Sequence, residues 1–255
     1  LGGSFLLGGP KHHEQAFNRV GARLQAALLF LAVVALMIPS AISESEGAAF
    51  TQSLSLGLAV LLIVIYGLGM YFSLVTHREA FAAGEAEGGE AEAHEAETHW
   101  PMGLSLVLLG VATLFVALVS EVFVASVQEA AATLGMTPAF VGFVVVGLVG
   151  GAAEMGTAFS AARKDRLDLS VGVALGSAAQ IALFVAPVLV LLSYVIGPQP
   201  MSLQFWPGAV VMILVATLTA TLTTVSGRSA WFVGVMLLAV YSVFAMTFFL
   251  MPPSV

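Results

Sequence analysis

One carboxylate lies deep inside an apolar run. Glu154 belongs to PAFVGFVVVGLVGGAAEMGTAFSAA, residues 138–162, and the charged turn 163–168 separates that run from a second one carrying Ser177 and Gln180. Taken as two antiparallel membrane helices rising ~1.5 Å per residue, the runs put Glu154 about 12 Å from the turn, Ser177 at about the same depth and Gln180 at about 16 Å. Gly150 and Gly151 fall at the level of Gln180. A charged side chain at mid-bilayer costs about 2.5–3.5 kcal/mol or more, so Glu154 is a candidate functional acid. Carboxylate, hydroxyl and amide oxygens are hard donors, which suit Ca²⁺ or another hard cation and do not suit zinc or copper. Gly147, Gly150, Gly151 and Gly156 weaken the first helix around the acid. A local break there would free carbonyl oxygens, which lipid tolerates only where they line a cavity. On the second helix, Pro187 removes a backbone donor and predicts a kink. The plainer alternative is a protonated glutamate in a close-packed bundle, with Ser177 and the glycines acting as small packing residues. Three polar groups at matching depth favour the cation site.

The elements that must hold these groups follow from composition. The chain has 255 residues, 59% apolar and 9% charged, with no cysteine. Soluble domains carry roughly a quarter charged residues, so this is an all-α polytopic membrane protein. Seven apolar stretches, 23–43, 53–75, 101–127, 138–162, 169–196, 205–225 and 229–251, are each near the ~20 residues that span a bilayer. Before them, LGGSFLLGG reads as the end of another apolar helix, so the sequence is expected to be a fragment holding about seven transmembrane helices plus a partial one. All eight Lys and Arg residues fall in alternate loops: Lys11, Arg19 and Arg23, then Arg78, then Arg163, Lys164 and Arg166, then Arg228. That bias places loops 10–22, 76–100, 163–168 and 226–228 in the cytoplasm.

The net charge of −7 is local, since seven of the fifteen acids lie between Glu79 and Glu97. That acidic, glycine-broken stretch reads as a solvated linker. It divides the chain into 1–76, 77–100 and 101–255. No basic surface remains for nucleic acid. Thr137 followed by Pro138 predicts a helix start, and Asp168 or Ser170 a cap on the next cytoplasmic helix end. Trp100, Trp206 and Trp231 fall near predicted helix ends, where indole rings favour the interface. Glu121 is expected in the outer leaflet and Glu129 beyond its helix, both solvated. Thr217, Thr221 and Thr224 form a stripe suited to back-bonding onto the preceding turn. His12, His13, His77, His94 and His99 all fall in cytoplasmic loops. With no His, Cys or paired Asp in any span, an intramembrane hydrolase is poorly supported.

The run GGAAE followed by RKDRLDLSVGVALGSAAQIALFVAP resembles the second α-repeat of the cation/Ca²⁺ exchanger superfamily, in its Ca²⁺/H⁺ exchanger branch. That branch has G-N-A-x-E-H on one helix and G-S-x-x-Q-I-A-L-F-V-A-P on the next. Phe17-Asn18, Tyr66-Gly67, Thr76-His77 and the acidic linker fall at corresponding places. The resemblance implies an inverted-repeat cation exchanger fold. Residues 1–76 would be the remnant of the first five-helix repeat and 101–255 the complete second one. It also implies a secondary antiporter of bacterial membranes with no cofactor, whose substrates are Ca²⁺ and H⁺. Carried over, Glu154 would be the second repeat's Ca²⁺ and proton site, with Ser177, Gln180, Gly150 and Gly151 beside it. Gly151 replaces the family Asn and Met155 the family His, which leaves open exchange of Na⁺ or K⁺, or a membrane subunit that no longer transports.

Overall fold

Lipid offers no partner for backbone N–H and C=O groups, so apolar runs must satisfy them internally as helices. The computed structural model describes residues 1–46, 48–76, 101–197 and 199–251. In chain order it contains α1 (Gly2–His12), β1 (Glu14–Ala16), α2 (Arg19–Glu46), α3 (Ala48–Tyr71), α4 (Met102–Leu134), α5 (Pro138–Gly150), α6 (Ala152–Arg163), α7 (Leu167–Ser193), α8 (Pro207–Thr224), β2 (Arg228–Ala230) and α9 (Trp231–Leu250). Six of these are long and apolar enough to cross a membrane, and α5 with α6, bent by 57° at the break, passes the same test as a pair. Each of the seven expected apolar stretches is helical over most of its length. The amino-terminal apolar stub is helical, as α1. Trp100, the linker 77–100 and its histidines lie outside the described residues.

The chain forms two compact units, one of Leu1–Gly88 with Ala153–Tyr241 and one of Gly89–Ala152 with Ser242–Val255. In the first, α7 is the shared wall of two cores. Its outer half joins Ala32, Ala35 and Leu36 of α2 and Ala59 and Leu62 of α3, through Ala179, Leu183 and Val190. Its inner half joins Phe5 of α1, Phe17, Ala22 of α2 and Ala162 of α6, through Leu167, Val171 and Leu175. Alanines at the α2–α7 contact let the backbones approach, which matters in lipid because close van der Waals packing replaces the hydrophobic drive. Gly9 and Gly234 serve the same end. A side-chain carbon on Gly9 would collide with the backbone of Trp231, and one on Gly234 with that of α1.

Three of the four loops expected on the cytoplasmic side are bonded to one another. β1 pairs antiparallel with β2, Gln15 opposite Ser229. Gln15 is 2% exposed, and its Nε2 donates to Ala162 O at 3.0 Å and to Asp165 Oδ1 at 2.8 Å. His12 and Asp165 approach to 3.9 Å. At the other end of α7 three serines hold the segment after it: Ser193, Ser55 and Ser40 Oγ accept from the N–H groups of Met201, Leu203 and Phe205 at 2.8, 3.1 and 2.9 Å.

In the second unit, Thr137 starts α5 as expected: its Oγ1 accepts from Phe140 N at 3.1 Å and donates to Phe248 O at 2.7 Å. Phe143 stacks on Phe248, with ring centroids 4.8 Å apart. α4 runs to Leu134, seven residues past the expected limit of 127, so Glu129 is inside the helix rather than beyond it. Its last turns, VQEAAATL, are rich in helix formers, and Gly135 at φ 65° terminates them. Glu121 and Glu129 are both exposed.

One local expectation is corrected. Neither Asp168 nor Ser170 caps α7, which begins at Leu167 with no side-chain cap. Asp168 Oδ1 instead accepts the N–H of Asn18 at 2.9 Å, because the segment entering α2 needs that acceptor more than α7 needs a cap. Immediately before Pro187, where a kink is expected, the helix widens into a π-helical turn, Ile181–Val185. The threonine stripe bonds back as expected, Thr221 Oγ1 to Thr217 O at 2.7 Å and Thr224 Oγ1 to Ala220 O at 2.9 Å. Trp206 and Trp231 stand at helix starts.

Candidate cation site

Where the glycines cluster, the helix does break. Gly151 has φ −90° and ψ 10°, between the last residue of α5, Gly150, and the first of α6. The break places Glu154 in the first turn of α6. Backbone N–H groups there have no intrahelical partner, and the local field favours a negative charge. Gly150 and Gly151 themselves belong to the second unit, and Glu154, Ser177 and Gln180 to the first.

Those three residues line one cleft of about 490 Å³. The shared depth expected from counting residues is seen as a contact: Ser177 Oγ donates to Glu154 Oε1 at 3.4 Å, a long bond. Glu154 Oε2 is buried and has no hydrogen-bond donor among the described residues. Gln180 is on the same face of α7, one turn further from the charged turn, and is exposed to the cleft. Along α7 the lining runs from Asp168 through Leu169, Gly172, Val173 and Gly176 to Gln180. Twelve residues at ~1.5 Å each give a channel about 18 Å long that leads inward from the charged turn. Gly172 and Gly176 keep its floor free of side chains.

The opposite wall comes from the start of α2, through Asn18, Gly21, Ala22 and Gln25. Asn18 is a fixed corner. Its Oδ1 accepts from Val20 N and Gly21 N at 3.0 and 3.1 Å, so it caps α2 while its own N–H reaches Asp168. Gln25 lies against Gly176, and a side-chain carbon on that glycine would come within 3.3 Å of Gln25 Nε2. Gln25 Oε1 is buried without a donor among the described residues. Sequence reading passes over Gln25, although an amide two residues inside the expected span 23–43 was a usable signal. It also assigns Asp168 to a helix cap rather than to the cleft. Among the described residues no three His, Cys, Asp or Glu side chains come together. What this part of the chain offers a cation is therefore a carboxylate with neutral oxygens around it.

Comparison with known proteins places this geometry in context. A family model described as sodium/calcium exchanger protein matches residues 104–250. The chain is 40% identical over 268 residues to a Ca²⁺/H⁺ antiporter of Synechocystis, covering 100% of this chain and 72% of that protein. It is 38% identical over 249 residues to the Ca²⁺/H⁺ antiporter ChaA of Bacillus subtilis, covering 97% of this chain and 70% of that one. The solved structure of native YfkE superimposes with a TM-score of 0.79 at 34% identity, over 98% of this chain and 70% of the other.

Proposed function

Because the chain belongs to the sodium/calcium exchanger family, we propose that it is a secondary active antiporter exchanging Ca²⁺ for H⁺ by alternating access. Its relatives are transporters and not enzymes. The observation that carries the site assignment is the half-satisfied carboxylate: one oxygen of Glu154 faces Ser177 at 3.4 Å and the other is buried with no donor among the described residues. An acceptor left open in a low-dielectric cleft costs about 1–3 kcal/mol unless something positive fills it. Ca²⁺ does so when the carboxylate is ionised, and a proton does so when it is not, so the two substrates compete for one oxygen. That competition is the coupling an antiporter needs.

In this reading Ser177 orients the carboxylate and Gln180 lends an amide oxygen on the same face of α7. Gly150 and Gly151 supply the helix break just before the acid in sequence. The cleft along α7 admits the ion from the side of the charged turn. That side is cytoplasmic in a bacterial cell membrane, because the basic loops collect there. Residues 1–76 belong to a first repeat, 77–100 to a cytoplasmic linker and 101–255 to the second repeat. The test is pH-driven uptake of radiolabelled Ca²⁺ into everted vesicles carrying the full-length protein. Glu154→Gln is expected to abolish it, and unaltered uptake overturns the assignment. Competition by Na⁺ and K⁺ in the same vesicles reports whether Gly151 and Met155 have changed the cargo.

A further inference from the structure

Four buried side-chain oxygens among the described residues lack a hydrogen-bond partner: Ser4 Oγ, Ser170 Oγ, Glu154 Oε2 and Gln25 Oε1. Only the last two belong to residues that line the cleft. One is the carboxylate assigned above. The other is an amide from a different helix, some 130 residues away in sequence. A hydroxyl can rotate to find an acceptor, but an amide oxygen can only accept, so a buried one needs a donor or a cation. Its placement is specific. The Gln25 amide lies against Gly176, the neighbour of Ser177, with its Nε2 the nearer atom. In an apolar helix a leucine would fill the same volume without an unpaired group, so packing gives no reason for glutamine here. Neutral amide oxygens are among the donors that Ca²⁺ takes alongside carboxylates.

We infer that Gln25 is a further cation-binding residue: from α2 it supplies an amide oxygen to the ion held at Glu154, and so helps to set which cation the cleft accepts. The inference rests on the Glu154 reading above. It also gives α2 a part in transport.

The test uses the full-length protein in proteoliposomes, with a proton gradient driving Ca²⁺ uptake and Na⁺ or Mn²⁺ as competitors. Gln25→Leu keeps the bulk and removes the oxygen. It is expected to raise KM for Ca²⁺ about tenfold, the loss of one modest interaction, while Vmax at saturating Ca²⁺ stays within about twofold, as for a lost ground-state contact. The order of competing cations is expected to change. Gln25→Glu retains an oxygen and is expected to keep KM at or below the parent value. In detergent, Ca²⁺ is expected to raise the melting temperature of the parent and of Gln25→Glu, but to raise that of Gln25→Leu less. Unchanged KM and unchanged competition in Gln25→Leu overturn the assignment. So does a Gln25→Leu protein whose only defect is a lower yield at normal KM, because that is the mark of a packing residue. Glu154→Gln separates the two failures. If it still transports, the carboxylate reading falls. If it is inactive while Gln25→Leu behaves as the parent, only the role of Gln25 falls.

Discussion

Two polar clusters sit along the same helix, α7, and they are built differently. At the charged turn, Gln15, Asn18, Asp165 and Asp168 are joined by bonds of 2.8–3.0 Å that tie together segments about 150 residues apart. About 12–15 Å further in, at the helical rise, Ser177 reaches Glu154 only at 3.4 Å, and two buried oxygens have no donor among the described residues. Polar groups that hold a fold together are saturated, because an unpaired one only subtracts from stability. Groups that must receive a cation and then a proton cannot be saturated by the protein, because every internal donor would compete with the cargo.

The largest expected effect is on the inner cluster: Glu154→Gln loses proton-driven Ca²⁺ uptake, with its melting temperature near that of the parent. A variant that transports normally but melts far lower would reverse the contrast. Next comes the outer cluster. Gln15→Ala removes a buried amide that makes two bonds, and is expected to cost about 1–3 kcal/mol of stability. That is to be read by thermal melting in detergent, with KM for Ca²⁺ unchanged in the folded fraction. A shifted KM at unchanged stability would show that the outer cluster belongs to the transport site. Ser177→Ala is smaller, since a 3.4 Å bond contributes little. A rise of KM by about two- to fivefold is expected, roughly 0.5–1 kcal/mol, measurable in vesicles. Smallest is Thr221→Val, which loses only a bond to its own preceding turn. Less than about 0.5 kcal/mol should be lost, with transport intact, as befits a side chain outside both clusters.

Seven spans, the side on which three basic loops meet, the helix start at Thr137 and the break near Gly151 all follow from local rules. Hydropathy over ~20 residues, the placement of Lys and Arg, one N-cap with proline and a glycine cluster are each read within a single stretch of chain. The pairing of Glu154 with Ser177 was equally legible, because a short turn makes two antiparallel helices share one depth scale. What the sequence alone determined is therefore the inventory of helices and the equal height of the acid and the hydroxyl that faces it.

The tertiary structure decided which distant surfaces close around that acid. Gln25 and Asn18 reach the cleft only because α2 lies against α7, and nothing within either segment names its neighbour. The reassignment of Asp168 from helix cap to acceptor for Asn18 has the same origin: a carboxylate at a helix end meets whichever donor the fold brings nearest. Depth in a membrane is a one-dimensional quantity that residue counting recovers. Lateral neighbourhood depends on the packing of small residues between helices far apart in sequence, and only the assembled fold reveals it.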